Sequence, residues 1–372
     1  MTARDIEGDF SENGLAASMA DTLRRMEISR PMTIMHVCGT HEHSIARAGI
    51  RSMLPDGLRL VAGPGCPVCV CPASDIGMAV QAARRDGTTL ATFGDMYRVP
   101  AGSTSLEILK TEGRDVRIVY SPMDAVELAR EEPHRQVVFM AVGFETTAGP
   151  IAAAAVSGVP DNFSMITSIR LVPPALRFLL GQGAGSIDGF ILPGHVSTVL
   201  GRSGYGFLEG EEGVPSVISG FEPLDVLRGV IELAGMIEAG PPFEVRNLYR
   251  RAVREEGNVK ARKMIYEVFE RADSSWRGIG VIPDSGLSLR ERMKGLDGAC
   301  RLGLEPDLEI RDVPPGCICH EVILGRAEPV ECGLFGLSCT PRRPVGPCMV
   351  SSEGTCRARY QFRDPASERT GD

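Results

Sequence analysis

The residues most suited to chemistry are eleven cysteines, and they fall into two groups. The first group is Cys38, Cys66, Cys69 and Cys71; the second is Cys300, Cys317, Cys319, Cys332, Cys339, Cys348 and Cys356. No cysteine lies between the groups. An odd number of cysteines in a chain without a secretory signal argues against a disulfide framework. It favours metal binding or thiol chemistry instead.

The first motif is CGTHEH at residues 38–43. A cysteine, two histidines and a glutamate within six residues could supply thiolate, imidazole and carboxylate ligands to one ion. They could equally provide a thiolate activated by a neighbouring imidazole. We expect Cys38 and His41 to be functional, whereas His43 could as well be a solvated surface histidine.

The second motif is GPGCPVCVCP at residues 63–72. Cys66 and Cys69 are close enough in sequence to form a bridge or to share a metal, as in a zinc half-site. Their position just before a predicted helix should lower their pKa values, because the amides of a first helical turn stabilise a thiolate. Cys71 is a weaker candidate.

Polar residues follow three further apolar runs. Glu145, in GFETT at residues 143–147, could hydrogen-bond to a ligand or cap a helix, and the two interpretations have equal weight. Asp95 and Arg98 could line the same cleft or form a surface ion pair. For His195 we favour a structural role.

Four cysteines of the second group are separated by twelve, six and sixteen residues: Cys319, Cys332, Cys339 and Cys356. Four thiolates fit either a zinc site or a [4Fe–4S] cluster, but the paired short knuckles of zinc ribbons are missing from this region. The spacing therefore favours an iron–sulfur cluster. Cys317 and Cys348 could substitute as ligands or act as redox partners, and Cys300 is expected to be a packed thiol.

Alternating apolar runs and helical patterns predict an α/β fold with parallel strands. The predicted strands are residues 33–37, 58–62, 90–93, 116–120, 137–142, 165–169 and 189–192. The predicted helices are residues 75–85, 123–130, 148–156, 174–180, 224–239 and 245–271. In an open α/β sheet, ligands bind at the carboxyl ends of strands, where the first two motifs lie.

We divide the chain into three predicted domains. They are an α/β domain at residues 28–132, a second at residues 133–222, and a helical, loop-rich and cysteine-rich domain at residues 223–372, with or without residues 1–27. From residue 282 onward the sequence shows little periodicity. A metal cluster could hold such a segment together, since it buries little apolar surface.

The composition excludes several classes of protein. A net charge of −8 and the lack of a basic run argue against binding to nucleic acid or to an anionic membrane. The N-terminus does not resemble a secretory signal and no apolar run reaches bilayer length, so we expect a cytoplasmic protein. No P-loop motif is present.

Six sequence motifs together resemble the HypD family of [NiFe]-hydrogenase maturation proteins. They are CGTHEH at 38–43, GPGCPVCVCP at 63–72, GDMYRVPAGS at 94–103, GFETTAGP at 143–150, LPGHVS at 192–197 and TPRRPVGPCMVSSEGTCRARY at 340–360. The resemblance implies two α/β domains around a cleft and a third domain that carries a [4Fe–4S] cluster. Cys319, Cys332, Cys339 and Cys356 match the cluster-binding pattern of the family.

The resemblance also implies a scaffold that assembles iron bearing two cyanides and one carbonyl, rather than a conventional turnover enzyme. A HypC-type small chaperone would share the iron, a HypE-type donor would supply cyanide as thiocyanate, and the hydrogenase large subunit would be reached through the chaperone. Cys38 would bind the iron, with His41 assisting ligation or proton movement. Cys66 and Cys69 would cycle between dithiol and disulfide, and Glu145 completes the candidate catalytic set.

Two other functions remain open. A thiol–disulfide oxidoreductase resembling ferredoxin–thioredoxin reductase would use a cluster to reduce a Cys66–Cys69 disulfide, which leaves Cys38 without a role. A structural zinc protein would use the C-terminal cysteines only for folding, as part of an interaction hub.

Overall fold

Two β-sheets made mainly of parallel strands form the framework of the protein. The computed structural model describes residues 14, 15, 17–181, 187–307 and 309–363. Its strands are β1 (Met32–His36), β2 (Leu58–Ala62), β3 (Thr88–Thr92), β4 (Val116–Ile118), β5 (Gln136–Gly143), β6 (Phe163–Arg170), β7 (Gly189–Pro193), β8 (Ser216–Ser219), β9 (Val245–Asn247), β10 (Phe269–Trp276) and β11 (Gly280–Leu289).

Helices connect most of these strands. They are α1 (Gly39–Arg47), α2 (Pro67–Val70), α3 (Ala73–Arg84), α4 (Gly94–Tyr97), α5 (Leu106–Thr111), α6 (Pro122–Glu131), α7 (Glu145–Val156), α8 (Val172–Gly181), α9 (Gly194–Leu200), α10 (Pro223–Ala239), α11 (Val259–Val268), α12 (Gly298–Leu302), α13 (Cys319–Ile323), α14 (Pro347–Val350) and α15 (Thr355–Gln361). Short 3₁₀ helices span Ile50–Met53, Arg202–Leu208, Glu291–Leu296 and Pro329–Glu331. In the described ranges, no helix combines the length and the apolar character needed to cross a membrane.

The predicted α/β fold class is confirmed. The first sheet has the order β2-β1-β7-β8-β9, and all its neighbouring strands are parallel. The second sheet has the order β10-β11-β6-β5-β3-β4 and is parallel from β6 to β4. All seven predicted strands are present within a few residues of their expected bounds.

Local sequence explains several of these elements. Strand β5 is almost completely buried, as expected of a parallel strand that is covered on both faces. Helix α6 begins with Pro122 after a capping box in which Ser121 and Asp124 satisfy each other's backbone N–H groups. This arrangement stabilises a helix start, because the first amides of a helix have no partners within it.

The sheets do not divide at residue 133, where sequence analysis places a domain boundary. Strands β3 and β4 precede this position but share a sheet with β5 and β6, which follow it. Conversely, β1 pairs with β7, about 150 residues later, rather than with β3. Hydrophobic periodicity predicts that a strand exists but carries no information about which distant strand it pairs with.

The predicted helix at residues 245–271 is wrong over most of its length. Strand β9 occupies its beginning, helix α11 covers only Val259–Val268, and β10 begins at Phe269. Strands β10 and β11 form an antiparallel hairpin that joins the second sheet beside β6. The region assigned to the C-terminal domain therefore contributes two strands to an α/β sheet.

One apolar core joins both sheets to the cysteine-rich part of the chain at residues 317–356, which we call the C-terminal segment. It contains Val61 of β2 and Leu90 of β3 together with Met349 of α14. Eight cysteines belong to the same core: Cys66, Cys69, Cys71, Cys317, Cys319, Cys339, Cys348 and Cys356. The two segments that carry the cysteine groups therefore meet in this core.

Candidate functional site

Cys38 is the residue that joins β1 to α1. It has an extended backbone conformation and occupies the N-cap position of α1. Burial, followed by the negative charge of Glu353, raises the pKa of its thiol to about 11, although backbone N–H groups of His41 and Thr40 act in the opposite direction. At neutral pH the free thiol is protonated, and a bound metal would have to displace that proton.

His41 is fully buried and neutral. Its Nε2 lies 2.9 Å from the carbonyl oxygen of Gly220, so this nitrogen carries the hydrogen and donates it. Burial and the nearby His36 lower the pKa of His41 to about 3. Its Nδ1 has no hydrogen-bond partner among the described residues, which leaves a lone pair for a proton donor or a metal.

Glu42 and His43 point away from this position. Glu42 accepts two hydrogen bonds from Arg51, at 3.0 and 2.7 Å, and lies 2.7 Å from Nε2 of His36. Burial alone would raise the pKa of Glu42, but the charge of Arg51 and the bond to His36 lower it to about 2. The ring of His43 packs edge-on against Phe362. The four side chains of the motif therefore do not surround one ion.

The second motif lies directly against the first. Cys66 and Cys69 form a disulfide with their Cα atoms 5.3 Å apart. The backbone N–H of Gly39 donates to the carbonyl of Gly65, at 3.2 Å. A Cβ at Gly65 would lie 2.3 Å from the backbone nitrogen of Cys38, so only glycine permits this approach. The disulfide loop and Cys38 are thus held as neighbours.

The C-terminal segment also reaches Cys38. A Cβ at Gly39 would lie 2.4 Å from Cβ of Glu353, and the Thr40 hydroxyl donates to the Glu353 carboxylate at 3.3 Å. Asp95 holds the same segment, because it accepts hydrogen bonds from Ser351 and Ser352 at 2.9–3.0 Å. No sequence pattern indicated this contact, since more than 300 residues separate its two sides.

A cavity of about 600 Å³ brings together residues of four motifs. Its lining includes Val68 beside the disulfide, Asp95, Thr146 of GFETT and Glu353. Arg98 is not part of this lining. It bonds to the Pro341 carbonyl and lies 3.7 Å from Glu107, so Asp95 and Arg98 do not form the pair that the sequence suggested.

Glu145 is a buried carboxyl with one free oxygen. Its Oε1 accepts the backbone N–H of Val172 at 2.9 Å, and its Oε2 has no partner in the described part of the chain. Burial raises the pKa of Glu145 to about 7. Burial, together with the charges of Glu145 and Cys38, also raises the pKa of Tyr205. Tyr205 thus lies within the range of charge interaction of both Glu145 and Cys38.

His195 lies near the first motif, on the other side of a shared aromatic residue. Its ring stacks on Phe221 with centroids 4.0 Å apart, and Phe221 also contacts the ring of His41 at 5.1 Å. Burial lowers the pKa of His195. A neutral histidine therefore packs against the aromatic residue that supports His41.

Cys71 belongs to a buried polar network and not to the disulfide. Its thiol lies 3.2 Å from the Ser168 hydroxyl, which donates to Asp75, and Asp75 pairs with Arg170 at 2.9 Å. Burial and then the charge of Asp75 raise the pKa of Cys71 to about 12. We assign it a structural role.

Six cysteines of the second group line one small apolar cavity. They are Cys317, Cys319, Cys332, Cys339, Cys348 and Cys356. Val322, Phe335 and Met349 supply part of its apolar wall. Cys300, in contrast, is exposed on α12, so the prediction of a packed thiol is wrong.

The converging thiols match the donor set of an iron–sulfur cluster, because four thiolates in apolar surroundings are what such clusters require. Within the described ranges, no three His, Cys, Asp or Glu residues are placed so that they could hold a single metal ion. The cavity accommodates the predicted four ligands but does not single them out from the six.

Among the cysteines of this cavity, the surroundings of Cys319 favour the thiolate form. Hydrogen bonds from Cys317 and Cys348, with the positive charge of Arg277, lower the pKa of Cys319. Arg277 is buried and also donates to the carbonyl of Cys71 at 2.6 Å. A cationic side chain therefore lies between the C-terminal cysteines and the first group.

Helix α14, which contains Cys348, packs against α2, which contains Cys69. The disulfide and the C-terminal cavity are consequently neighbours within one core. Chemically, the arrangement offers the buried thiol of Cys38, a buried neutral imidazole three residues further along the chain, an adjoining disulfide, and a nearby set of thiols that would suit an electron-transfer centre.

Comparison with known proteins gives a consistent result. Residues 14–363 match the family model HypD, described as the hydrogenase formation hypA family. A protein of Methanocaldococcus jannaschii, provisionally named hydrogenase expression/formation protein, is 45% identical over 95% of this chain and 99% of its own length. The hydrogenase maturation factor HypD of Escherichia coli is 43% identical over 91% of each chain. That of Azotobacter vinelandii is 40% identical over 95% of this chain and 96% of its own.

Proposed function

The chain belongs to the HypD family and acts in hydrogenase maturation, and we propose that it is the scaffold on which iron acquires cyanide and carbonyl ligands. The iron is the cargo, shared with a HypC-type chaperone, and cyanide arrives as a thiocyanate on a HypE-type donor. The observation that carries the proposal is the contact of three parts of the chain: Cys38, the Cys66–Cys69 loop and the C-terminal segment at Glu353.

Cys38 supplies the thiolate for the iron. Iron(II) with cyanide and carbonyl ligands is a soft centre that thiolates bind well. The lone pair at Nδ1 of His41 either completes the coordination or accepts a hydrogen bond from the incoming group. Because the pKa of His41 is about 3, the imidazole stays neutral and does not repel the metal at neutral pH.

Cys66 and Cys69 supply the two electrons that release cyanide. One thiolate attacks the thiocyanate sulfur, the S–C bond breaks, and cyanide leaves as a mixed disulfide forms. The second thiol then displaces the donor thiol, so two thiols and one thiocyanate give one disulfide, one donor thiol and hydrogen cyanide. The product is the Cys66–Cys69 disulfide, which must be reduced before the next cycle.

Cys319, Cys332, Cys339 and Cys356 would hold a [4Fe–4S] cluster, which supplies single electrons when bound. The cavity they line is adjacent to the disulfide, because α14 packs on α2. Cys317 and Cys348 line the same cavity and give the site two further thiols. Glu145 has its free oxygen and a pKa of about 7, which suits proton exchange near neutral pH.

The test compares single cysteine variants in hydrogenase maturation and in thiol exchange. We expect Cys38→Ala to abolish maturation while thiol exchange at Cys66 and Cys69 continues, because the two functions use different sulfurs. Normal maturation by Cys38→Ala would contradict the scaffold. Maturation that depends on Cys66 and Cys69 alone would instead favour a thiol–disulfide oxidoreductase.

A further inference from the structure

A second cavity, which we call the arginine pocket, contains none of the cysteine motifs. It has a volume of about 580 Å³, within the range of small-molecule sites. Helix α8, helix α11 and the β10–β11 hairpin form its walls. Nothing in the proposed iron chemistry uses it.

Three guanidinium groups line the pocket: those of Arg177, Arg262 and Arg271. In the part of the chain that the structure describes, none of them forms an ion pair. The guanidinium of Arg177 lies over the ring of Phe207, 3.9 Å from its centroid, which holds it in place without neutralising its charge. The pocket thus presents three positive charges, although that of Arg271 also acts on the buried carboxyl of Glu145.

Arg262 carries the most specific sign of a ligand. Its Nη2 donates to the carbonyl oxygen of Glu256 at 2.7 Å, which fixes the side chain. Its Nε is buried and has no acceptor among the described residues. Because a buried N–H without an acceptor is costly, this group is poised to donate to an anionic oxygen.

The rest of the lining is apolar and includes Phe178, Leu200 and Ile282. One acidic residue, Asp284, lies among the lining residues. It has a positive φ of 53°, a conformation that Asp and Asn tolerate better than most residues. Three arginines and one aspartate leave the pocket with a net positive charge.

We propose that the arginine pocket binds a small organic anion, in which a phosphate or carboxylate group is joined to an apolar body. The guanidinium groups would hold the anionic oxygens, since their planar forks suit both groups. The apolar wall would cover the remainder of the ligand. Inorganic phosphate alone would bind less tightly, because it leaves that wall uncovered.

The test is calorimetric titration of the full chain with four probes: phenyl phosphate, benzoate, inorganic phosphate and benzyl alcohol. We expect the better of the two aromatic anions to bind at least about tenfold more tightly than benzyl alcohol, from charge-assisted hydrogen bonds. The ranking of phenyl phosphate against benzoate identifies the anionic group. Equal affinity for benzyl alcohol, or no binding of either aromatic anion, would overturn the proposal.

Three variants in the pocket and one control outside it locate the site. Arg262→Met and Arg177→Met should each weaken binding by about tenfold, while Arg228→Met on α10 should have no effect. Asp284→Asn should strengthen binding, because it removes the repelling charge and suits the positive φ. Arg177 is exposed, so its replacement tests the site even if Arg262→Met does not fold. Unchanged affinity in Arg177→Met and Asp284→Asn would show that the anion binds elsewhere.

Discussion

The buried group formed by His36, Glu42 and Arg51 should control the stability of the CGTHEH motif. Glu42 is fully buried, and both of its oxygens accept hydrogen bonds from Arg51 while one also contacts His36. Replacing it with glutamine would leave the buried guanidinium of Arg51 without a counter-charge. We expect Glu42→Gln to lower the free energy of unfolding at neutral pH by about 3–5 kcal/mol.

The pH dependence gives an independent estimate of the same quantity. The pKa of Glu42 is lowered from 4.5 to about 2. Because the folded-state pKa lies below the unfolded one, this stabilisation is complete above pH 4.5 and is lost as the pH falls towards 2. The difference corresponds to about 3 kcal/mol. Most other carboxyls titrate in both proteins. Subtracting the unfolding free energy of the variant from that of the wild type at each pH therefore isolates the contribution of Glu42.

The assay is urea unfolding at several pH values between neutral and strongly acidic. The gap in unfolding free energy between wild type and Glu42→Gln should shrink by about 3 kcal/mol as the pH falls through this range. Glu127→Gln is the matched control, since Glu127 pairs with Arg130 on the surface and should change stability by less than about 0.5 kcal/mol. A gap that is small at neutral pH, or constant with pH, would refute the reasoning.

Three further predictions address other parts of the site. Glu145→Gln should show the opposite pH dependence, because the pKa of Glu145 is raised from 4.5 to about 7. The wild type should lose stability relative to the variant as the pH rises from 4.5 to 7, and parallel urea titrations would measure this loss. Gly65→Ala should lower the free energy of unfolding by about 1–3 kcal/mol and impair maturation, because its Cβ would overlap Cys38. Gly235→Ala is the control, since this open helical position should make the change neutral or stabilising. Equal effects of the two changes would argue against the close approach. In the folded protein, a thiol reagent should label the exposed Cys300 before the buried Cys71, and mass spectrometry of the peptides would detect the order. Early labelling of Cys71 would contradict its burial.

The parallel strands were predictable because the sequence signal for them is local. Strand β5 is a continuous run of apolar residues, and its burial on both faces follows from that run. The β10–β11 hairpin was not predictable in the same way. Much of β10 is exposed or half-buried and includes charged residues, so it lacks a strand-like apolar pattern. The position of the hairpin depends on the pairing of β11 with β6, which is a long-range interaction.

The same distinction between local and long-range signals applies to the candidate site. Cys38, Cys66 and Cys69 follow β1 and β2, so their position at the carboxyl ends of parallel strands was predictable from local sequence. The approach of Glu353 to Gly39 had no sequence signal, because it depends on how the C-terminal segment folds back. His36 was also missed, since a histidine at the end of an apolar strand gives no sign that its ring will contact the buried carboxylate of Glu42.

The central claim is that Cys38 holds an iron that carries cyanide and carbonyl. Infrared spectroscopy of the protein purified anaerobically with a HypC-type chaperone, the proposed partner, tests this most directly. We predict cyanide and carbonyl stretching bands in the wild type and in Cys71→Ala, whose thiol is buried in a separate network, and loss of these bands in Cys38→Ala. Bands that persist in Cys38→Ala, or that are absent from the wild type when all assembly components are supplied, would contradict the account.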